Sequence, residues 1–336
     1  MRRTVMSPDT TAIQSDLQRA VLLHQSGELA QAGIIYKRIL DVDPKNVDAL
    51  HLLGLVSHQS GQSATAITLI KRALKISPNQ PDFLRNLGNI LRESGQFEEA
   101  TRIYQYIIQL QPESAEMYTI LGLTLKDSMQ FEEAVHAYHQ AIRINPVCND
   151  VYNHLGNVLQ KQGKLGESIQ AYHKAIAINP EYAEAYNNLG NALQKQDKLE
   201  ESIQAYHKAI ALNSEYAEAY NNLGVVLKDL SRPDEALGKY RKAIELEPDY
   251  DSPHINIGNV LQELEQLDEA IASYSAAFAI NPLSPELFNS LGTVHEILGQ
   301  FDDAVINYRK AINLKPNYAQ AYSCLLYTSP SPRDRG

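Results

Sequence analysis

Two columns of residues recur at a fixed spacing, and the asparagines in them are the side chains of this sequence best suited to chemistry. The first column runs Asn86, Ile120, His154, Asn188, Asn222, Asn256 and Ser290, and the second, three residues later, runs Asn89, Leu123, Asn157, Asn191, Val225, Asn259 and Thr293. A primary amide carries one acceptor oxygen and two N–H donors, so it can hold both the carbonyl and the amide of an extended backbone. Residues three apart share a helix face, so the two columns would act together. The candidate peptide-binding residues are therefore Asn86, Asn89, Asn157, Asn188, Asn191, Asn222, Asn256 and Asn259. Ile120 joins them because, with Leu123, it predicts an apolar notch for one ligand side chain.

Catalytic patterns find no support. There is no Gly-rich phosphate loop, no Gly-x-Ser-x-Gly and no Cys-His arrangement. His139, His173 and His207 share one position, which Arg241, Ser275 and Arg309 also fill, so that position reads as a solvated face. His136 and His139 have a spacing that could present two metal ligands, but no carboxylate or Cys cluster completes a site. The sequence thus predicts no catalytic residue, no metal site and no cofactor. Most of the nineteen Tyr fall on three register positions, represented by Tyr206, Tyr186 and Tyr216, and read as packing.

Composition narrows the partner. Of 336 residues 44% are hydrophobic, enough for a continuous core, and the net charge is -10. An acidic balance disfavours nucleic acid and anionic membrane, whose phosphates need clustered Lys and Arg. The two cysteines, Cys148 and Cys324, form no disulfide framework, which fits a reducing, cytoplasmic setting. Met1 to Pro8 has no apolar run behind its two arginines and does not read as a secretory signal, and no stretch is long enough to span a bilayer.

The columns must be positioned by repeated elements. A Leu-Gly pair recurs as Leu53-Gly54, Leu87-Gly88, Leu121-Gly122, Leu155-Gly156, Leu189-Gly190, Leu223-Gly224 and Leu291-Gly292, with Ile257-Gly258 in the remaining unit. The constant step of 34 signals stacked repeats. Each unit reads as two amphipathic helices. In 183–216 the first carries Tyr186, Leu189, Gly190 and Leu193, and the second Leu199, Ile203, Tyr206, Ile210 and Leu212. Between them stands Gly27, Gly61, Gly95, Gly163 or Gly299, a residue suited to a left-handed cap; Met129, Asp197, Ser231 and Glu265 take its place elsewhere. A Pro from Pro44 to Pro316 closes each second helix, with Ser214 the exception.

The expected organisation is a disordered leader over 1–12 and nine repeats over 13–318, namely 13–46, 47–80, 81–114, 115–148, 149–182, 183–216, 217–250, 251–284 and 285–318. Residues 319–323 begin a truncated tenth repeat. Residues 324–336 break the pattern and look like a translated sequencing-library adaptor, a non-native tail that would make the chain a fragment.

The pattern of aromatic, Leu-Gly, large residue, small residue, aromatic, Ala and Pro falls on Tyr118, Leu121-Gly122, Leu125, Ala134, Tyr138, Ala141 and Pro146. In this the chain resembles the tetratricopeptide repeat family. The resemblance implies an all-α fold, a right-handed superhelical α-solenoid of nine helix-turn-helix repeats whose first helices line a concave groove. No Trp occupies the first aromatic position. With first helices about 10 Å apart and an extended chain rising about 3.3 Å per residue, one Asn would meet every third residue of a bound peptide. Asn86, Asn188, Asn222 and Asn256 resemble the asparagine ladder in the repeats of O-linked N-acetylglucosamine transferases, from which Ile120, His154 and Ser290 depart. A basic clamp for carboxylates is absent, since its position holds Asp48, Asp82, Glu116, Asp150, Glu184 and Glu218.

The expected function is a protein-protein interaction scaffold that binds an extended peptide of a partner protein in its groove. The alternative is the substrate-recruiting region of an enzyme. The opening unit resembles bacterial proteins in which such repeats precede a C-terminal glycosyltransferase, sulfotransferase or methyltransferase domain, and the ladder makes a glycosyltransferase the leading form of that alternative.

Overall fold

The structure, a computed structural model, describes residues 8–328. It divides into two units, residues 1–164 and 165–336. The first contains α1 (Pro8–Gln25), α2 (Leu29–Val42), α3 (Val47–Gln59), α4 (Ser63–Ile76), α5 (Pro81–Glu93), α6 (Phe97–Leu110), α7 (Ala115–Asp127), α8 (Phe131–Ile144) and α9 (Asn149–Lys161). The second contains α10 (Leu165–Ile178), α11 (Ala183–Lys195), α12 (Leu199–Leu212), α13 (Ala217–Asp229), α14 (Pro233–Leu246), α15 (Asp251–Glu263), α16 (Leu267–Ile280), α17 (Pro285–Ile297), α18 (Phe301–Leu314) and α19 (Ala319–Thr328). The described residues are helices joined by tight turns, with no strand among them. The fold is an α-solenoid of repeats.

Within each unit consecutive helices pack as pairs, and most odd-numbered helices also touch the next odd one: α1 with α3, α3 with α5 and α7 with α9 in the first unit, α11 with α13, α13 with α15, α15 with α17 and α17 with α19 in the second. No even helix packs in this way against the next even one. The odd helices are therefore the crowded, inner row, and their outward faces form the concave side of each unit.

The turn inside each repeat is left-handed whatever residue occupies it. Gly27, Gly61, Gly95, Gly163 and Gly299 have φ between 73° and 83°, and Met129, Asp197, Ser231 and Glu265 have φ of 62°, 61°, 59° and 63°. The reason is the hydrogen-bond closure. Gln130 N–H reaches back to the Leu125 carbonyl (2.8 Å) and Met129 N–H to that of Lys126 (3.0 Å), the two bonds of a Schellman cap. At the other end of the repeat, proline is not what stops the helix. Where Ser214 replaces it, α12 still ends at Leu212, and Asn213 Oδ1 accepts from Glu215 N–H (3.1 Å). Asn179 and Asn281 make the same local turn before their prolines.

Inside six of the pairs a tyrosine ring lies against the register glycine of the facing helix. Tyr104, Tyr138, Tyr206, Tyr240, Tyr274 and Tyr308 are wholly buried. A Cβ added to Gly190 would lie 2.6 Å from Tyr206 Cε1, and one added to Gly122 would lie 2.5 Å from Tyr138 Cε1. Ser202 Oγ, also buried, donates to the Gly190 carbonyl (2.8 Å). In α4, Ile70 stands in place of the tyrosine and packs against Gly54.

One expectation, at the N-terminal end, needs correction. Residues 8–12, read as part of a disordered leader, are helical, because α1 extends N-terminally from the apolar register that begins at Ile13. The break in sequence pattern at Cys324 does not end α19, which continues to Thr328, since Leu325 and its neighbours remain compatible with a helix. The rest of the leader, residues 1–7, and of the tail, residues 329–336, lies outside the described residues.

Candidate binding groove

Both asparagine columns sit on odd helices, half-buried, and their amides are already engaged. In the first column Asn86 Nδ2–H donates to His51 Nε2 (2.9 Å), Asn222 Nδ2–H to Asn187 Oδ1 (3.2 Å) and Asn256 Nδ2–H to Asn221 Oδ1 (2.9 Å). Each bond joins a residue to one 35 positions earlier. The donor stands immediately before the Leu-Gly pair or its equivalent, and the acceptor one residue further upstream in the preceding repeat. These rungs tie each odd helix to the one before it. The network continues from Asn187 Nδ2–H to Glu218 Oε1 (3.2 Å). Burial, then the charges of Glu218 and Glu184, push the Tyr216 phenol beside it well above its ordinary value.

The second column has a different partner. Tyr104, Tyr206 and Tyr274 donate their hydroxyls to Asn89, Asn191 and Asn259 (2.7, 2.7 and 2.8 Å), always 15 residues apart, and Tyr308 uses Thr293 in the same way (3.3 Å). Where Val21, Leu123 and Val225 fill that position, the hydroxyls of Tyr36, Tyr138 and Tyr240 are buried without a partner. The second-column amides therefore satisfy the core tyrosines through their oxygens. Burial alone pushes the Tyr36 phenol up to about 12.

Asn157 and Asn188 are half-buried as well, and neither is a free side chain. Ile120 is half-buried, and its carbonyl accepts from Thr124 Oγ1–H (2.8 Å). The predicted acidic row, Asp48, Asp82, Glu116, Asp150, Glu184 and Glu218, is solvent-exposed at the helix starts. Asp82 pairs with Arg85 (2.8 Å).

The residues that sequence reasoning missed are His51, Asn187, Asn221 and Asn289, the row one step upstream of the first column. His51 is 7% exposed and stacks on Phe83, ring centroids 3.9 Å apart. Because its Nε2 accepts the Asn86 proton, that nitrogen is unprotonated, and burial lowers the His51 pKa to about 4 against the opposing charges of Asp48 and Asp82. The signal was present as a second amide at 35-residue spacing, but a period of 34 hides it.

Among the described residues no cluster of His, Cys, Asp or Glu is placed to hold a metal ion, and no helix is long and apolar enough to cross a membrane. Family profiles described as tetratricopeptide repeat match residues 35–68, 57–123 and 181–247, and one described as TPR repeat matches 130–163, 159–197, 258–296 and 297–325. No curated protein matches the chain. Among solved structures, a chain of the APC/C hetero-tetramer Cut9-Hcn1 is similar, with a TM-score of 0.61 at 17% identity, over 94% of this chain and 63% of that one. This chain thus spans less than two thirds of that relative. A tetratricopeptide repeat protein from Parabacteroides merdae ATCC 43184 gives 0.66 at 16% identity, over 74% and 98%. PilF from Pseudomonas aeruginosa gives 0.53 at 21%, over 63% and 97%.

Proposed function

The chain belongs to the tetratricopeptide repeat family, whose members mediate protein-protein contacts, and we propose that it holds an extended segment of a partner protein in the concave groove of its odd helices. The observation that carries this reading is the rung. One N–H of Asn222 and one of Asn256 are spent on the preceding helix, which fixes each amide in orientation. Each side chain is half-buried and keeps a second N–H, while the Asn222 oxygen also accepts from Asn221 Nδ2–H (3.5 Å). A preorganised amide loses little side-chain entropy when a backbone pairs with it. In an enzyme-linked array the same groove would recruit the substrate chain.

The test is fluorescence anisotropy with labelled, unstructured peptides. Asn188→Ala with Asn222→Ala should weaken capture while circular dichroism shows unchanged helicity. Equal binding by the double variant and the parent overturns the reading. At the apolar notch, Ile120→Asp should reduce affinity and Asp229→Ala, whose side chain only accepts from Gln194 (3.1 Å), should not.

A further inference from the structure

Most polar side chains on the inner row of the second unit are spent on one another, but Asn289 of α17 is not. It is 4% exposed, and its Oδ1 has no hydrogen-bond partner. At the equivalent positions of the two preceding amide rungs, Asn187 Oδ1 receives Asn222 and Asn221 Oδ1 receives Asn256. The Asn289 oxygen thus occupies a place built to accept an N–H.

Asn289 lines a cavity of about 280 Å³ bounded by α15, α17 and the start of α19. Pockets for drug-sized ligands run from about 300 to 1,000 Å³, so this one suits a single long side chain. Its charged wall residues are Lys228, Glu263 and Glu286, one positive and two negative. Lys228 is neutralised by Glu263 Oε1 (2.7 Å), and Glu286 meets Lys315, which lies outside the wall, through Oε1 (2.9 Å), so each carboxylate has a second oxygen not bonded to its lysine. Asn259 Oδ1 is saturated by Tyr274 and Ser290 (both 2.8 Å). The wall therefore offers acceptors, with two carboxylates to one ammonium among the lining residues. A guanidinium presents five N–H donors in a planar fork and stays charged, which suits a wall that holds an unpartnered amide oxygen and carboxylates; an ammonium has three donors on a single atom.

We propose that this cavity is a subsite for an arginine side chain of an extended polypeptide lying in the groove. The proposal rests on the groove reading above and adds a side-chain preference to it. The test uses the full chain and three labelled nine-residue peptides of Gly, Ser and Ala that differ only at the central residue, Arg, citrulline or Glu. Citrulline keeps the shape of arginine and removes its charge. The Arg peptide should bind about tenfold tighter than the citrulline peptide, as expected for charge-assisted hydrogen bonds. Asn289→Leu should weaken both the Arg and the citrulline peptide, and Glu286→Gln should shrink the preference for Arg to within about twofold, neither changing helicity. Equal binding of Arg and citrulline peptides by the parent overturns the subsite and leaves the groove standing. Tightest binding of the Glu peptide also overturns it and assigns the cavity to Lys228. If no peptide binds, the groove reading falls and the subsite with it.

Discussion

Tyr206 and Tyr240 occupy the same register position in adjacent repeats and are both fully buried, yet the same substitution should affect them with opposite sign. Tyr206 donates to Asn191 (2.7 Å), so Tyr206→Phe loses a hydrogen bond and leaves Asn191, half-exposed, to be resolvated. The cost should be about 0.5–1.5 kcal/mol. Tyr240 faces Val225 instead, and its hydroxyl is buried without a partner. Tyr240→Phe removes a group whose burial costs about 1–3 kcal/mol when unpaired, so that variant should be more stable than the parent. The gap between the two should be about 2 kcal/mol or more. Val225→Asn, which supplies the missing acceptor, should stabilise the parent and turn Tyr240→Phe into a loss. The assay is urea unfolding with a check that the slope is unchanged. Native-state amide exchange in α11 to α14 should accompany it, because repeat arrays need not unfold all at once. Shifts of the same sign and size for both Phe variants would refute the pairing rule.

Met129 is 74% exposed at φ 62°, so Met129→Gly relieves about 1–2 kcal/mol of backbone strain against about 0.5–1 kcal/mol of added chain entropy, and the unfolding midpoint should rise slightly. Gly190→Ala forces a methyl onto the Tyr206 ring and should cost about 1–3 kcal/mol in the same measurement. His51 gives an acid dependence. Its folded pKa, about 4, lies below the ordinary 6.5, so the fold favours the neutral form; stability is level above pH 6.5 and falls as pH drops toward 4, by roughly 3 kcal/mol in all. In His51→Gln, which can still accept from Asn86, the acid limb between those pH values should flatten.

The period of 34 and the residue types at Leu189, Gly190 and Tyr206 sufficed to read the helix pairs and the close approach between them. They also placed Met129, Asp197, Ser231 and Glu265 at the left-handed turn, because the closing hydrogen bonds belong to the backbone and follow from helix geometry. Two features were hidden for physical reasons. The bond between Asn191 and Tyr206 joins two helices at a spacing of 15, and hydrophobic periodicity reports faces, not the reach of a hydroxyl. Helix ends were ascribed to proline, while Asn213 shows that a local side-chain turn accomplishes the same stop. The helicity of residues 8–12 was illegible because Pro8-Asp9-Thr10-Thr11-Ala12 carries no apolar stripe.

The three first-column rungs each run from a donor to an acceptor 35 positions upstream, which gives that column a direction along the chain. Any 34-residue block holds one donor position and one acceptor position of neighbouring rungs, so a copied block can bond to the repeat on either side of it. The identical segments at 167–177 and 201–211 fit such copying. A chain wired this way can lengthen by whole repeats without refitting its neighbours, whereas an insertion of any other size would strand an amide at every joint it shifts.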